Sequence, residues 1–244
     1  MQLQKKVIMI TGATAGVGSA LAAQLAEHNR LIVLGRNEEK LRTLTERYSD
    51  VDAYPCDLSD LSAVKATAAA IGRNHPKIDV LINNAAVQFT PHFLHEDFRY
   101  ESIHEEVTVN FTAVCSLIYL LLPAMLSDDS RAVILNVNSG LALAPKTSSA
   151  VYCAGKGALL VFSQSLAYQL ENTAVKVLQA FLPLVDTVMT HGRGSGKLSA
   201  EAAAAAMIRG IVRETPRNYV GRTKILRLVL RISPTLAAKI MKKF

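Results

Sequence analysis

The segment KKVIMITGATAGVGSALAAQLAEH, Lys5 to His28, holds in order a strand, a glycine-rich turn and a helix. Lys6 to Ile10 is a short apolar run closed by Thr11-Gly12, whereas Ser19 to His28 repeats apolar residues at spacings of three and four, the period of one helix face. Between them lies T-G-A-T-A-G-V-G, Thr11 to Gly18. Glycines let a turn close tightly and let backbone amides approach an anion, and the helix that follows brings the positive end of its dipole to the same point. The turn therefore suits a pyrophosphate, with Gly12, Thr14, Ala15, Gly16, Val17 and Gly18 around it. Its spacing is not the strict G-x-G-x-x-G, so its place between first strand and first helix carries the reading.

The same alternation continues along the chain. Leu31–Gly35, Val51–Tyr54, Val80–Ile82, Ala132–Val137 and Val175–Phe181 are apolar runs of strand length, separated by helical patterns such as Leu61–Ile71. Runs without polar alternation, joined through helices, describe parallel strands covered on both faces and linked by right-handed crossovers. The fold class is α/β, a Rossmann-type doubly wound parallel sheet, and no linker or repeat divides residues 1–244 into more than a single domain.

Composition narrows the functions further. With 50% hydrophobic and 19% charged residues among 244, the chain can bury a sizeable core. The apolar stretch Ser116–Leu126, interrupted by Tyr119 and Pro123, is too short to span a bilayer, and the run after Lys5-Lys6 is too short for an export signal. Cys56, Cys115 and Cys153 are odd in number and lack metal-ligand spacing, which favours reduced packing residues and a cytoplasmic setting. The net charge of +7 suits anionic ligands, and nucleic acid is not expected as a partner.

The second apolar run ends in Arg36-Asn37, where a site selective for NAD usually places an acid for the ribose 2′-hydroxyl. An arginine there can pair with a 2′-phosphate, so NADP(H) is the expected cofactor.

Farther on, VYCAGKGALLVFSQSLAYQL, Val151 to Leu170, is a small-residue helix carrying Tyr152 and Lys156, and residues four apart share a helix face. Ser139 follows AVILNVN at the carboxyl end of a strand, the end at which such sheets bind ligands. A free tyrosine has a pKa of about 10, and a neighbouring ammonium is expected to lower it.

Thr11-Gly-x-x-x-Gly-x-Gly18, Asn83-Asn84-Ala85, Asn110, Ser139 and Tyr152-x-x-x-Lys156 together resemble the motifs of the short-chain dehydrogenase/reductase family, over about residues 4 to 190. The resemblance implies that Tyr152 is the general acid of carbonyl reduction and that Ser139 hydrogen-bonds the carbonyl oxygen. It implies that Lys156 binds the nicotinamide ribose and that Asn110 helps hold a water in the proton relay. By the same likeness Asp57, with Leu58 beside it, contacts adenine. Asn84 steadies the sheet next to Ala85, and Thr187 meets the carboxamide. Two departures stand out: the family's N-N-A-G is Asn83-Asn84-Ala85-Ala86 here, and its P-G-x-x-x-T is Pro183-Leu184-Val185-Asp186-Thr187, which lacks the glycine of that turn.

His92, His95 and His104 crowd one region without the H-E-x-x-H spacing of a helical zinc site, and no metal is expected. Residues 191–244 read as a short substrate lid, HGRGSGKLS, with Ser199 able to cap an alanine-rich helix, followed by a basic tail. After Glu214 the chain has eight Lys or Arg and no acid, interleaved with apolar residues in one or two amphipathic helices broken near Ser233-Pro234. The small lid and this tail are similar to a compact bacterial subgroup of the family. Packing of the tail on the protein itself or on a second subunit is favoured over peripheral membrane contact. The expected function is hydride transfer between NADP(H) and a small-molecule carbonyl or secondary alcohol, in a homodimer or homotetramer. The alternative is a non-catalytic NADP(H)-binding redox sensor, or an adaptor that uses the basic tail.

Overall fold

All six apolar runs become strands of one parallel sheet. In the computed structural model, which describes residues 1–90 and 92–243, the strands are β1 (Val7–Thr11), β2 (Arg30–Gly35), β3 (Val51–Pro55), β4 (Val80–Asn83), β5 (Ala132–Ser139), β6 (Val175–Leu182) and β7 (Arg217–Tyr219). Their order is β3-β2-β1-β4-β5-β6-β7. The chain winds outward from β1 to β3, then returns to pair β4 with the other side of β1 (Ile8 opposite Val80), so a crevice opens where the winding reverses. Phe244, the last residue of the basic tail, and Pro91 lie outside the described residues.

The helices are α1 (Gly16–Leu25), α2 (Glu38–Arg47), α3 (Leu61–Asn74), α4 (Glu101–Val107), α5 (Ala113–Met125), α6 (Ala150–Gln169), α7 (Ala200–Val212), α8 (Thr223–Ile232) and α9 (Pro234–Met241). Local chemistry starts several of them. Asn37 accepts from Lys40 N at 2.8 Å, Asp60 from Ser62 N at 2.8 Å, and Ser199 from Ala202 N at 3.1 Å, each filling an otherwise orphaned helix N-terminal donor.

The sheet separates two apolar cores, one under α1 and α7 and one under α3, α5 and α6. Adjacent strand residues alternate between them: Ile8 and Ile10 face the first, Met9 the second, and all three are wholly buried. Each such side chain contributes about 1.5–3 kcal/mol. The apolar stretch around Ser116 belongs to a continuous helix, Glu101–Met125, that is longer than its sequence pattern indicates. Its apolar face packs in the second core, with Leu117 and Leu121 fully buried, so its hydropathy reflects core burial.

Buried amides lock the carboxyl half of the sheet. Asn83 Nδ2 donates to Asn136 Oδ1 at 2.8 Å, and Asn136 Nδ2 donates to Ser163 Oγ at 2.8 Å, tying β4, β5 and α6. The tail folds back on this end. Thr223 Oγ1 reaches the Phe181 carbonyl at 3.0 Å, and Ser233 caps α9 at the expected break before Pro234.

Candidate active site

The glycine-rich turn leaves β1 and enters α1 with Gly12 at φ +68° and Gly16 at φ +52°, backbone that residues with a Cβ rarely adopt. A Cβ on Gly18 would lie 2.0 Å from the Gly12 carbonyl oxygen. Nothing larger fits this cradle. Thr11 Oγ1 accepts from Asn84 N and Ala85 N, both at 3.0 Å, while Asn84 Nδ2 donates back to the Thr11 carbonyl at 3.0 Å. These reciprocal bonds fix the ends of β1 and β4 on the two sides of the crevice.

Along this crevice runs a cavity of about 1010 Å³. At one end it meets Gly12, Thr14, Ala15, Gly16, Val17, Arg36, Asp57 and Leu58; at the other it meets Ser139, Tyr152, Lys156 and Thr187, with Asn84 and Ala85 between. Of the site residues expected from the sequence, Gly18 and Asn110 stand behind the lining, Gly18 under the turn and Asn110 against the β4 exit.

Arg36 is exposed at the end of β2, and its charge reaches Asp57. Burial alone would raise the Asp57 carboxyl, but hydrogen bonds from Ser59 N (2.9 Å) and Ser59 Oγ (2.8 Å), with Arg36 nearby, hold it below the usual range. Asp57 is therefore an ionised acceptor at the far end of the cavity.

At the other end, Ser139 is the last residue of β5, and its Oγ accepts from Leu141 N at 3.1 Å. Tyr152 and Lys156 lie one turn apart on α6, with Lys156 Nζ 5.7 Å from the tyrosine ring centroid. Lys156 is 3% exposed and donates to the Val137 carbonyl at 2.9 Å.

In the protein alone, burial is the largest influence on both groups of this pair. Burial pushes the Tyr152 hydroxyl up, the neighbouring Cys153 and Glu106 add to the rise, and Ser139 and Arg193 pull the other way. Burial also pushes Lys156 down to about 8. The sequence shows the pairing of the two groups but not their desolvation, which dominates in the protein alone.

Asn110 sits in a single π-helical turn, Thr108–Thr112, that joins α4 to α5. Its side chain clamps the segment leaving β4: Oδ1 accepts from Val87 N at 2.9 Å and Nδ2 donates to the Val87 carbonyl at 2.8 Å. Glu106, 3% exposed, accepts from Phe89 N at 2.6 Å in the same segment.

Both departures from the family pattern are accommodated. Leu184 lies outside the left-handed region, so that position does not require glycine, and its carbonyl accepts from Leu198 N at 3.0 Å. The Thr187 methyl packs over Gly16, where a Cβ would come within 2.8 Å of it. Ala86 lines the cavity without closing it.

Sequence reasoning missed several lining residues. Leu226 of α8 and Met241 of α9 wall the cavity, so the tail is part of the site. Gln88, Lys146 and Arg193 line it as well. A lone arginine among the glycines of HGRGSGK was the available signal for the last of these. Among the described residues no cluster of His, Cys, Asp and Glu is arranged to hold a metal; the His92 and His95 rings stack at 4.8 Å.

A doubly wound sheet with a glycine cradle at its first crossover and, at the carboxyl ends of its strands, a half-buried Ser/Tyr pair beside a buried lysine defines a dinucleotide-dependent oxidoreductase. The chain belongs to the short-chain dehydrogenase family, whose model matches residues 6–197. It is 34% identical over 188 residues to the oxidoreductase DltE of Bacillus subtilis, covering 77% of this chain and 74% of that one. It is 30% identical to the sulfoacetaldehyde reductase of Chromohalobacter salexigens, covering 83% and 80%. A short-chain dehydrogenase from Burkholderia cenocepacia, solved with NADP, superposes with a TM-score of 0.89 at 23% identity, over 99% of both chains. One from Burkholderia phymatum, solved with NAD, gives 0.84 at 21% identity, over 95% and 96%. The cradle and the buried lysine fit a nicotinamide dinucleotide.

Proposed function

We propose that the protein is an NADP(H)-dependent carbonyl reductase or alcohol dehydrogenase in which Tyr152 is the general acid or base. The observation that carries this reading is the single cavity that holds the glycine cradle at one end and Ser139, Tyr152 and Lys156 at the other. When bound, a nicotinamide dinucleotide would supply the hydride for carbonyl reduction. Ser139 orients the carbonyl oxygen, and Tyr152 transfers its phenolic proton to that oxygen as it becomes the alcohol. Lys156 would contact the nicotinamide ribose and stabilise the resulting phenolate. Asn110, fixed beside α6, positions the segment through which a water returns the proton. At the other end the turn would carry the pyrophosphate, Asp57 and Leu58 would hold adenine, and Thr187 would hold the carboxamide.

Arg36 supports the choice of NADP(H), since it lies exposed at the tip of β2 and lines the cavity. The relative named for sulfoacetaldehyde reduction acts on an aldehyde, in keeping with a carbonyl substrate here. The three free thiols are the ground for a cytoplasmic assignment, and association into a homodimer or homotetramer belongs to the same proposal.

The test is NADPH oxidation across a panel of aldehydes and ketones, with Tyr152→Phe run in parallel. Turnover lost in the variant is the expected result. Absence of turnover by a protein that still binds NADPH would instead favour a redox sensor, or an adaptor acting through the basic tail.

A further inference from the structure

The substrate end of the cavity carries positive charge that the cofactor reading leaves unexplained. Lys146 and Arg193 both line it, together with Ser139 and Tyr152. Lys146 lies in the segment before α6, and Arg193 lies in the glycine-rich segment after β6. The turn suited to a pyrophosphate is on β1 and α1, a different part of the fold.

Arg193 is held in place. Its Nη1 donates to Gln88 Oε1 at 2.9 Å, and Gln88 Nε2 donates to Ser149 Oγ at 3.2 Å. Ser149 is 3% exposed, adopts φ +62° and begins the helix that bears Tyr152, so the guanidinium is tethered to the reacting end through two side chains. One bond to a neutral amide leaves most of its donor fork unused. Among the described residues neither Arg193 nor Lys146 has a carboxylate within 4.0 Å, and Asp57, at the adenine end, is the one acid lining the cavity. The nearby Lys197 already pairs with Asp186 at 3.2 Å.

Two like charges in a half-buried cavity repel one another, and burying them without a counter-ion is unfavourable. Their mutual effect is visible in Lys146, whose pKa is lowered by burial first and by Arg193 second. An oxyanion between them would remove both costs and would find a guanidinium fork and an ammonium to bind it.

We infer that Lys146 and Arg193 form an anion subsite that holds a carboxylate, sulfonate or phosphate group of the substrate while its carbonyl lies at Ser139 and Tyr152. The substrate class is a short carbonyl compound with an anionic end. This rests on the reductase reading above, and the test separates the two.

In the turnover arm, succinic semialdehyde is compared with its methyl ester, and sulfonate and phosphate analogues of matched length distinguish which oxyanion is preferred. The expected result is a kcat/KM ratio favouring the anion by roughly tenfold or more, falling by a similar factor in Lys146→Gln and in Arg193→Gln through KM, with partial recovery in Arg193→Lys. A ratio near one, or a ratio that those substitutions leave unchanged, would overturn the inference.

The binding arm uses calorimetry of succinic semialdehyde with NADP-saturated Tyr152→Phe protein, in which no turnover interferes. Binding that disappears when Lys146→Gln or Arg193→Gln is added supports the subsite even if no panel compound is reduced, in which case only the reductase reading fails. No binding, or binding indifferent to both substitutions, would sink the subsite.

Discussion

Lys156 lies beside Tyr152 with its Nζ 5.7 Å from the ring centroid, and it donates to the Val137 carbonyl rather than to any carboxylate. Its ammonium is almost wholly removed from water, and burial depresses its pKa from 10.5 to about 8. Between these values the unfolded chain holds a proton that the folded protein has released, so stability should rise with pH across this window and level off on either side. The full rise is on the order of 3 kcal/mol. Urea unfolding of wild type and Lys156→Met between pH 7 and 11 checks this. The variant should lack the added slope, and equal slopes would show that Lys156 keeps its proton in the folded state.

Arg36 should set cofactor choice. Arg36→Ala removes the cation at the end of β2 but leaves the glycine cradle and Asp57 in place. A hydrogen bond to a charged group contributes about 1.5–3 kcal/mol, so Kd for NADPH should rise roughly ten- to a hundredfold while Kd for NADH changes little. Fluorescence titration of both cofactors against both proteins measures this. A parallel rise for NADH would mean that Arg36 supports the site only as part of the fold.

Asn110 acts on the site through Val87. Replacing it with Asp keeps an acceptor for Val87 N but loses the donor to the Val87 carbonyl, and replacing it with Leu loses both bonds. The expected cost is about 1–3 kcal/mol for Asn110→Leu and less for Asn110→Asp, read from denaturant midpoints. Because Val87 lines the cavity, kcat should fall in the same order.

The fold was legible because its signals are local: buried runs such as VIMI, a turn that only glycine can make, and helix faces with a clear period. β7 was not, because Arg217–Tyr219 is a three-residue polar edge strand whose identity comes only from its pairing with Gln179–Phe181. At the site, Tyr152, Lys156 and Ser139 are recognisable from spacing, since helix pitch and strand ends are local properties too. The burial that acts on Tyr152 and Lys156 is not legible there, because it depends on elements far apart in sequence. The tail's part in the site was not legible for the same reason: amphipathic periodicity gives α8 an apolar face that includes Leu226 but does not show that this side chain walls the cavity.

One hydroxyl helps fasten that wall to β6. Thr223 is 3% exposed, and its Oγ1 lies 3.0 Å from the Phe181 carbonyl and 2.8 Å from the Val220 carbonyl, while its methyl and the Leu226 side chain rest on Gly140 just after Ser139. Thr223→Val keeps the shape and deletes the donor, at a cost of about 1–2 kcal/mol. The glycine cradle is on the far side of the cavity, so NADPH affinity should be preserved. α8 should loosen, and KM for the carbonyl substrate should rise several-fold, about what 1 kcal/mol allows. Hydrogen exchange provides the independent check: amides of α8 should exchange faster in the variant, while those of α1 should not. Unchanged KM with faster exchange in α8 would separate the tail from substrate binding and leave it a structural support alone.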